Sequence, residues 1–346
     1  MTAALGAGPR STAAGAGVRA PGDGAARRRL AVTGSIVLLA VLAVASVFIG
    51  VSDVTPATLL ADAGHARDLL TISRLPRTAA ILLAGAATAV AGVVMQMLVR
   101  NRFVEPSTVG TTESAALGLL VVTIWAPSMS LPGKIGVAAG CALAGTLLFL
   151  GVLRTVPIRS VVTVPLVGIM LGGVVGAVAA YLAYRYDLMQ TLSAWMTGDF
   201  SGVMAGRYEL LWVVAALTAV VYVTADRFTV VGMGRDVATS LGLGYRGVLS
   251  LGLAVVAVTS AVVVVVVGAL PFLGLVVPNV VSMLVGDNLR RSLPWVAIGG
   301  AGLVLVCDVV GRVVRYPYEI PIGVVMGVLG AVVFLWLLLR KAPDVG

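Results

Sequence analysis

Read by its polar interruptions, the chain is a series of long apolar runs separated by short charged or proline-bearing joints. The runs fall at 30–50, 78–99, 107–125, 134–153, 161–184, 208–225, 248–269, 271–286, 293–311 and 320–339. A helix needs about 20 apolar residues to cross a bilayer, so each of the ten is a candidate crossing. The pair 248–269 and 271–286 reads equally as one long broken element, because Pro271, Gly274 and Pro278 interrupt its pattern. Proline in a membrane helix removes a backbone donor and survives where protein or water satisfies the freed groups. The pattern predicts an all-α polytopic membrane protein.

Residues 1–29 are rich in Gly, Ala, Pro and Arg, lack periodicity and end in Arg27-Arg28-Arg29. They read as a disordered tail. A basic stretch before an apolar one also describes a signal peptide. However, 30–50 is of spanning length and AVAS at 43–46 is a weak cleavage site, so a retained first helix is expected. The expected organisation is a tail to residue 29, a transmembrane domain over 30–341 and a short C-terminal tail at 342–346.

Composition agrees with lipid. Charged residues are 11% and hydrophobic residues 59%, against about 25% charged in soluble domains. The net charge of +9 does not point to nucleic acid, because the basic residues come one or two at a time and form no stripe. Topology accounts for them better. With both termini inside, sixteen basic residues fall inside and eight outside, in the sense of the positive-inside rule. The segment 231–247, VGMGRDVATSLGLGYRG, is then cytoplasmic, and it is conspicuously polar between two apolar runs.

Candidate chemistry is sparse. No GxxxxGK[ST] phosphate loop, HExxH or GxSxG is present, so neither a nucleotide site of that type nor intramembrane catalysis is indicated. Cys141 and Cys307 lie far apart inside apolar runs and read as small buried hydrophobes; no metal site is expected. His65, the sole histidine, sits in a polar loop. Ionisable residues in the runs are few. Glu113 opens the third run, Asp308 stands four residues before Arg312, and Glu319 sits between Pro317 and Pro321. They make no proton relay, although intramembrane charges are where one would look for one. On the outer side, Arg74 and Arg77 of RLPR share a face of the membrane with Arg312 and Arg315. Such a rim can attract an acidic partner or simply snorkel. Gly168, Gly172 and Gly176, and likewise Gly323 and Gly327, have the spacing that lets helices approach closely.

Taken in order, these motifs resemble the iron-siderophore (FecCD-type) permease family of binding-protein-dependent ABC importers, which includes the cobalamin permease. The stretches that carry the resemblance are RLPRTAAILLAGAATAVAGVVMQMLVRN (74–101), VEPSTVGTTESAALG (104–118), GRDVATSLGL (234–243), PFLGLVVPN (271–279) and residues 307–341. The resemblance covers about residues 35–341. It implies an ABC importer type II permease architecture, about ten helices per subunit, in the bacterial cell (inner) membrane. It also implies a second permease subunit, itself or a paralogue, an ATPase dimer on the cytoplasmic side that uses the ATP, and an extracytoplasmic siderophore-binding protein. No cofactor is expected on this chain.

In this family the cytoplasmic loop couples to the ATPase, which maps the role onto Gly234, Arg235, Asp236, Val237, Ala238, Thr239, Ser240, Leu241 and Gly242. Binding-protein docking maps onto Arg74, Arg77 and Arg312, and the pathway-lining helix onto Gly168, Gly172 and Gly176. Residues 190–197 map onto a short outer gating helix. The chain departs from many relatives at Asn279, where they have His, and at Asn101-Arg102, where they have Asn-Pro. PFLGLVVPN, GDNLR and YPYEIP look like the branch for catecholate and mixed-type siderophores. Cobalamin or haem is the alternative cargo. An ion-coupled secondary transporter is the alternative class, which an uncoupler would expose by collapsing uptake at constant ATP.

Overall fold

A computed structural model describes residues 23–49, 68–156 and 162–340, and every regular element among them is helical. In chain order these are α1 (Asp23–Val47), α2 (Leu75–Val99), α3 (Thr111–Trp125), α4 (Leu131–Thr155), α5 (Thr163–Arg185), α6 (Met189–Met196), α7 (Leu211–Val223), α8 (Ala225–Gly232), α9 (Arg235–Ser240), α10 (Tyr245–Val267), α11 (Leu273–Val285), α12 (Leu289–Val313) and α13 (Ile322–Arg340). A π-helical turn, Leu70–Arg74, extends α2 backwards, and a 3₁₀ turn, Pro106–Val109, precedes α3. Each of the ten apolar runs carries a helix, and the ambiguous pair resolves into two, α10 and α11. The expected boundary at 29/30 falls inside α1, which begins at Asp23. Residues 1–22, His65 and the tail at 342–346 lie outside the described residues.

By length and composition seven of these helices can cross a bilayer, and an eighth is added if α7 and α8, bent by 68°, form one span. Two predicted crossings, α3 and α11, are shorter apolar helices. At 15 and 13 residues they are only about 20 Å long at 1.5 Å per residue. The chain around them is largely non-regular, apart from the 3₁₀ turn before α3. Backbone groups left unpaired there are costly in lipid.

The bundle is built around α2, which packs against α7, α10, α11 and α12. Seventy-two per cent of its spanning window is buried, against 17% for α1 at the periphery. Its sequence explains the position. Ala84, Gly85, Ala89 and Gly92 leave the backbone bare where neighbours cross. A Cβ on Gly85 would lie 2.7 Å from the Gly300 carbonyl oxygen, and one on Gly92 would overlap the Gly274 backbone. Small residues permit this approach, and dispersion between backbones supplies the attraction that water supplies in soluble proteins.

Candidate functional site

Three features are candidates for function: a polar knob at one end, an ion cluster at the opposite end, and the junction between the two short helices.

The knob is α9 with its flanking glycines. Gly234 has φ +114° and Gly242 φ +74°, backbone conformations that L side chains rarely adopt. A Cβ on Gly234 would also stand 3.2 Å from Arg100 Nη1, at the end of α2. The helix closes by donation from Leu243 N–H to the Ala238 carbonyl (2.9 Å) and from Gly242 N–H to the Thr239 carbonyl (3.0 Å). That is the Schellman arrangement, with glycine at its left-handed position. Within α9 only Ala238 is buried. Arg235, Asp236, Val237 and, just beyond, Leu241 are exposed, and neither Arg235 nor Asp236 forms an ion pair among the described residues. Exposed apolar side chains among free charges are what a docking surface presents.

At the other end, Arg74, Arg77 and Arg312 do meet, as expected of a common rim, but they turn inward. Arg77 donates from Nε and Nη2 to Asp308 Oδ1 (3.1 and 2.7 Å) and from Nη1 to Glu319 Oε2 (2.8 Å). Arg312 pairs with the other oxygen of Asp308. Arg312 Nη1 also donates to the Ser46 carbonyl (3.0 Å), and Arg74 Nη1 to the Ile49 carbonyl (2.7 Å). These carbonyls lie at the C-terminal end of α1, where cations are favoured. Arg312 is 5% exposed and Arg74 9%. The three guanidiniums that the resemblance maps to binding-protein docking are thus engaged within the bundle. Arg77 and Arg312 interlock with Asp308 and Glu319, Arg74 and Arg312 hold carbonyls at the end of α1, and the cluster fastens α1, α2 and α12 together, because a buried charge must be paired. Only the Arg77–Glu319 edge is open, with Glu319 29% exposed.

The junction was not anticipated. Pro278 inside α11 has no N–H to give to the carbonyl of Gly274, and Gln96 Nε2 donates to that carbonyl instead (3.3 Å). Asn279 Nδ2 donates to the carbonyls of Arg102 (2.8 Å) and Leu275 (2.7 Å), tying the non-helical chain after α2 to α11. Glu105, 2% exposed, accepts from Phe272 N–H (2.8 Å) and so caps the start of α11 across the bundle. VEPST and PFLGLVVPN were visible as motifs; the polar contacts that join them were not.

Of the glycine stripe, Gly168 and Gly172 are buried on α5 and pack against the backbone at Thr108, Val109 and Gly110. Gly176 is half-buried, and its nearest neighbour is the Glu113 side chain. Glu113 Oε2 is buried without a hydrogen-bond partner. The expected gating helix is α6, one residue earlier than mapped. It is held by donation from Ala269 N–H to the Trp195 carbonyl (3.0 Å). Among the described residues no group of three or more His, Cys, Asp or Glu could hold a metal ion, and both cysteines are free.

The profile of the FecCD transport family matches residues 35–340. The chain is 45% identical over 305 residues to the petrobactin import system permease protein YclN of Bacillus subtilis, covering 88% of this chain and 96% of that one. It is 40% identical over 270 residues to the ferric-anguibactin transport system permease protein FatD of Vibrio anguillarum, covering 78% and 86%. Among solved structures, a metal-chelate type ABC transporter in an inward-facing conformation superposes with a TM-score of 0.75 at 24% identity, covering 91% of this chain and 99% of that one; this likeness speaks for the fold.

Proposed function

The chain belongs to the FecCD transport family, and from that premise we propose that it is the membrane-spanning permease subunit of an ABC importer that carries a ferric siderophore into the cytoplasm. The observation that carries this reading is the 45% identity to a petrobactin permease across 96% of that protein's length. The chain contributes passage and no ATPase: ATP is hydrolysed on a separate subunit. Its partners are a second permease subunit, an ATPase dimer and an extracytoplasmic binding protein. Both termini lie in the cytoplasm, in keeping with the bias of basic residues.

In this reading α9 seats on the ATPase. Its apolar side chains Val237 and Leu241 and its unpaired charges Arg235 and Asp236 point away from the bundle. Gly234 lies beside the Arg100 side chain at the end of α2, where an added Cβ would stand 3.2 Å from Arg100 Nη1, and a push on α9 is passed to α2 at this point. The binding protein docks at the opposite end. The cluster there holds Arg77 and Arg312 against Asp308 and Glu319, with Arg74 beside it on the Ile49 carbonyl. Its open edge lets a carboxylate of the binding protein take the place of Glu319 at Arg77. The α5 stripe borders the pathway, with Gly168 and Gly172 fixing its distance from α3.

The test is uptake of labelled iron by cells lacking this chain, over a panel of siderophores with cobalamin alongside. Loss confined to one siderophore class, restored by the wild-type chain and not by one with residues 234–243 scrambled, is the expected result. Loss of cobalamin uptake alone would replace the cargo, and intact uptake of every compound would sink the reading.

A further inference from the structure

Hydroxyls in the helices of this protein have a habit. Thr78, Ser114, Thr123, Thr146, Thr218 and Thr229 each donate to the carbonyl four residues behind, which is how a membrane helix hides a hydroxyl. Four that make no such bond are Thr88 on α2, Thr112 on α3, and Thr259 and Ser260 on α10. All four line one small cavity together with Glu105 and Ser107. Thr88 Oγ1 is fully buried and has no hydrogen-bond partner. The cavity measures about 30 Å³, room for one ion or about one or two waters.

The charge balance of this cavity separates the two occupants. Glu105 is 2% exposed and forms no ion pair among the described residues. Its Oε1 accepts from Ser107 Oγ and from Phe272 N–H. These dipoles and the start of α11 offset part of the charge. A buried carboxylate without a counter-charge is still costly. Water would satisfy the hydroxyls alone, whereas a cation would also oppose the charge that these dipoles leave on Glu105. One carboxylate among neutral oxygens suits a monovalent ion, because Mg²⁺ and Ca²⁺ favour sites with more negative charge. Interrupted membrane helices offer oxygens at such breaks.

We infer that the cavity bounded by Thr88, Glu105, Ser107, Thr112, Thr259 and Ser260 is a binding site for a single alkali metal cation of sodium size. The ion ties α2, the start of α3, α10 and the segment leading into α11 at the point where the helical ladder is broken.

The test uses the purified full-length chain in detergent, without transport. Melting is followed in sodium, potassium and choline chloride at equal ionic strength, and equilibrium binding of radioactive sodium is measured beside it. The expected result is a saturable rise of several degrees in an alkali salt over choline, with about one ion bound per chain. Thr88→Val with Thr259→Val, which preserves side-chain volume, should abolish both. Identical melting in the three salts with no bound ion overturns the proposal and leaves the cavity to water. Undiminished binding in the double variant also overturns it, since the ion then sits elsewhere. If the double variant does not fold, the wild-type salt series and binding measurement decide alone.

Discussion

The two ends of the bundle use the same side chains in opposite ways. At the Arg77 end, arginines and carboxylates interlock, with Asp308 wholly buried and Arg312 nearly so. At the α9 end, Arg235 and Asp236 stand apart in solvent, and a single buried residue, Ala238, holds the helix to the bundle. Arginine at a membrane boundary is thus mortar in one place and contact surface in the other. What separates the uses is whether carboxylates from distant helices converge on it. Arg77 meets Asp308 and Glu319 from 231 and 242 residues away.

The strongest way to break this contrast is to unpair the mortar. Asp308→Asn leaves two guanidiniums facing a neutral side chain, and removing one partner of a buried pair costs about 3–5 kcal/mol. A large drop in melting temperature and in yield of folded protein is expected, and unchanged melting would show that the cluster does not hold the bundle. Next comes Gly234→Val. It forces a β-branched residue to φ +114°, at about 1–3 kcal/mol of local strain. Iron uptake should fall more than tenfold while the protein still inserts. The double variant Val237→Glu and Leu241→Glu sharpens the point, because both side chains are exposed. Co-purification with the ATPase should be lost with the melting temperature unchanged; a parallel loss of stability would make α9 part of the fold instead. Glu319→Gln loosens a partly exposed partner of Arg77. It should move melting little and tighten binding-protein docking a few-fold, and weaker docking would argue against exchange at that edge. The smallest effect belongs to the exposed pairs Arg102–Asp287 and Arg290–Asp226. Arg290→Ala should shift stability by about 0–1 kcal/mol.

The course of the chain was legible because lipid imposes one rule on every crossing, and all ten apolar runs carry helices. The polar segment 231–247 was legible for the converse reason: a run of glycines and charges has no place among lipid tails. The start of α11 was hidden, since Leu270 and Phe272 before it look apolar enough to continue the helix. Only Glu105, capping α11 from across the bundle, shows where it begins, with Gln96 supplying the donor that Pro278 lacks inside it. The inward turn of Arg74, Arg77 and Arg312 was hidden too. Spacing reveals the pair Asp308–Arg312 at i,i+4, but no spacing reveals that Arg77 shares Asp308.

The glycine crossings on α2 have a mechanical consequence. At Gly85 against Gly300 and Gly92 against Gly274, backbone meets backbone with no side chains between. Side chains are the compliant layer of a protein, able to change rotamer and absorb displacement, whereas close-packed main chain transmits strain. Leu70 to Val99 is a continuous rod of 30 residues, about 45 Å long. At one end Arg100 lies beside Gly234, the glycine before α9, and near the other stands Arg77. Such a rod clamped by stiff bearings behaves as a pushrod, and a stroke delivered at its lower tip arrives at its upper tip with little lost to slack.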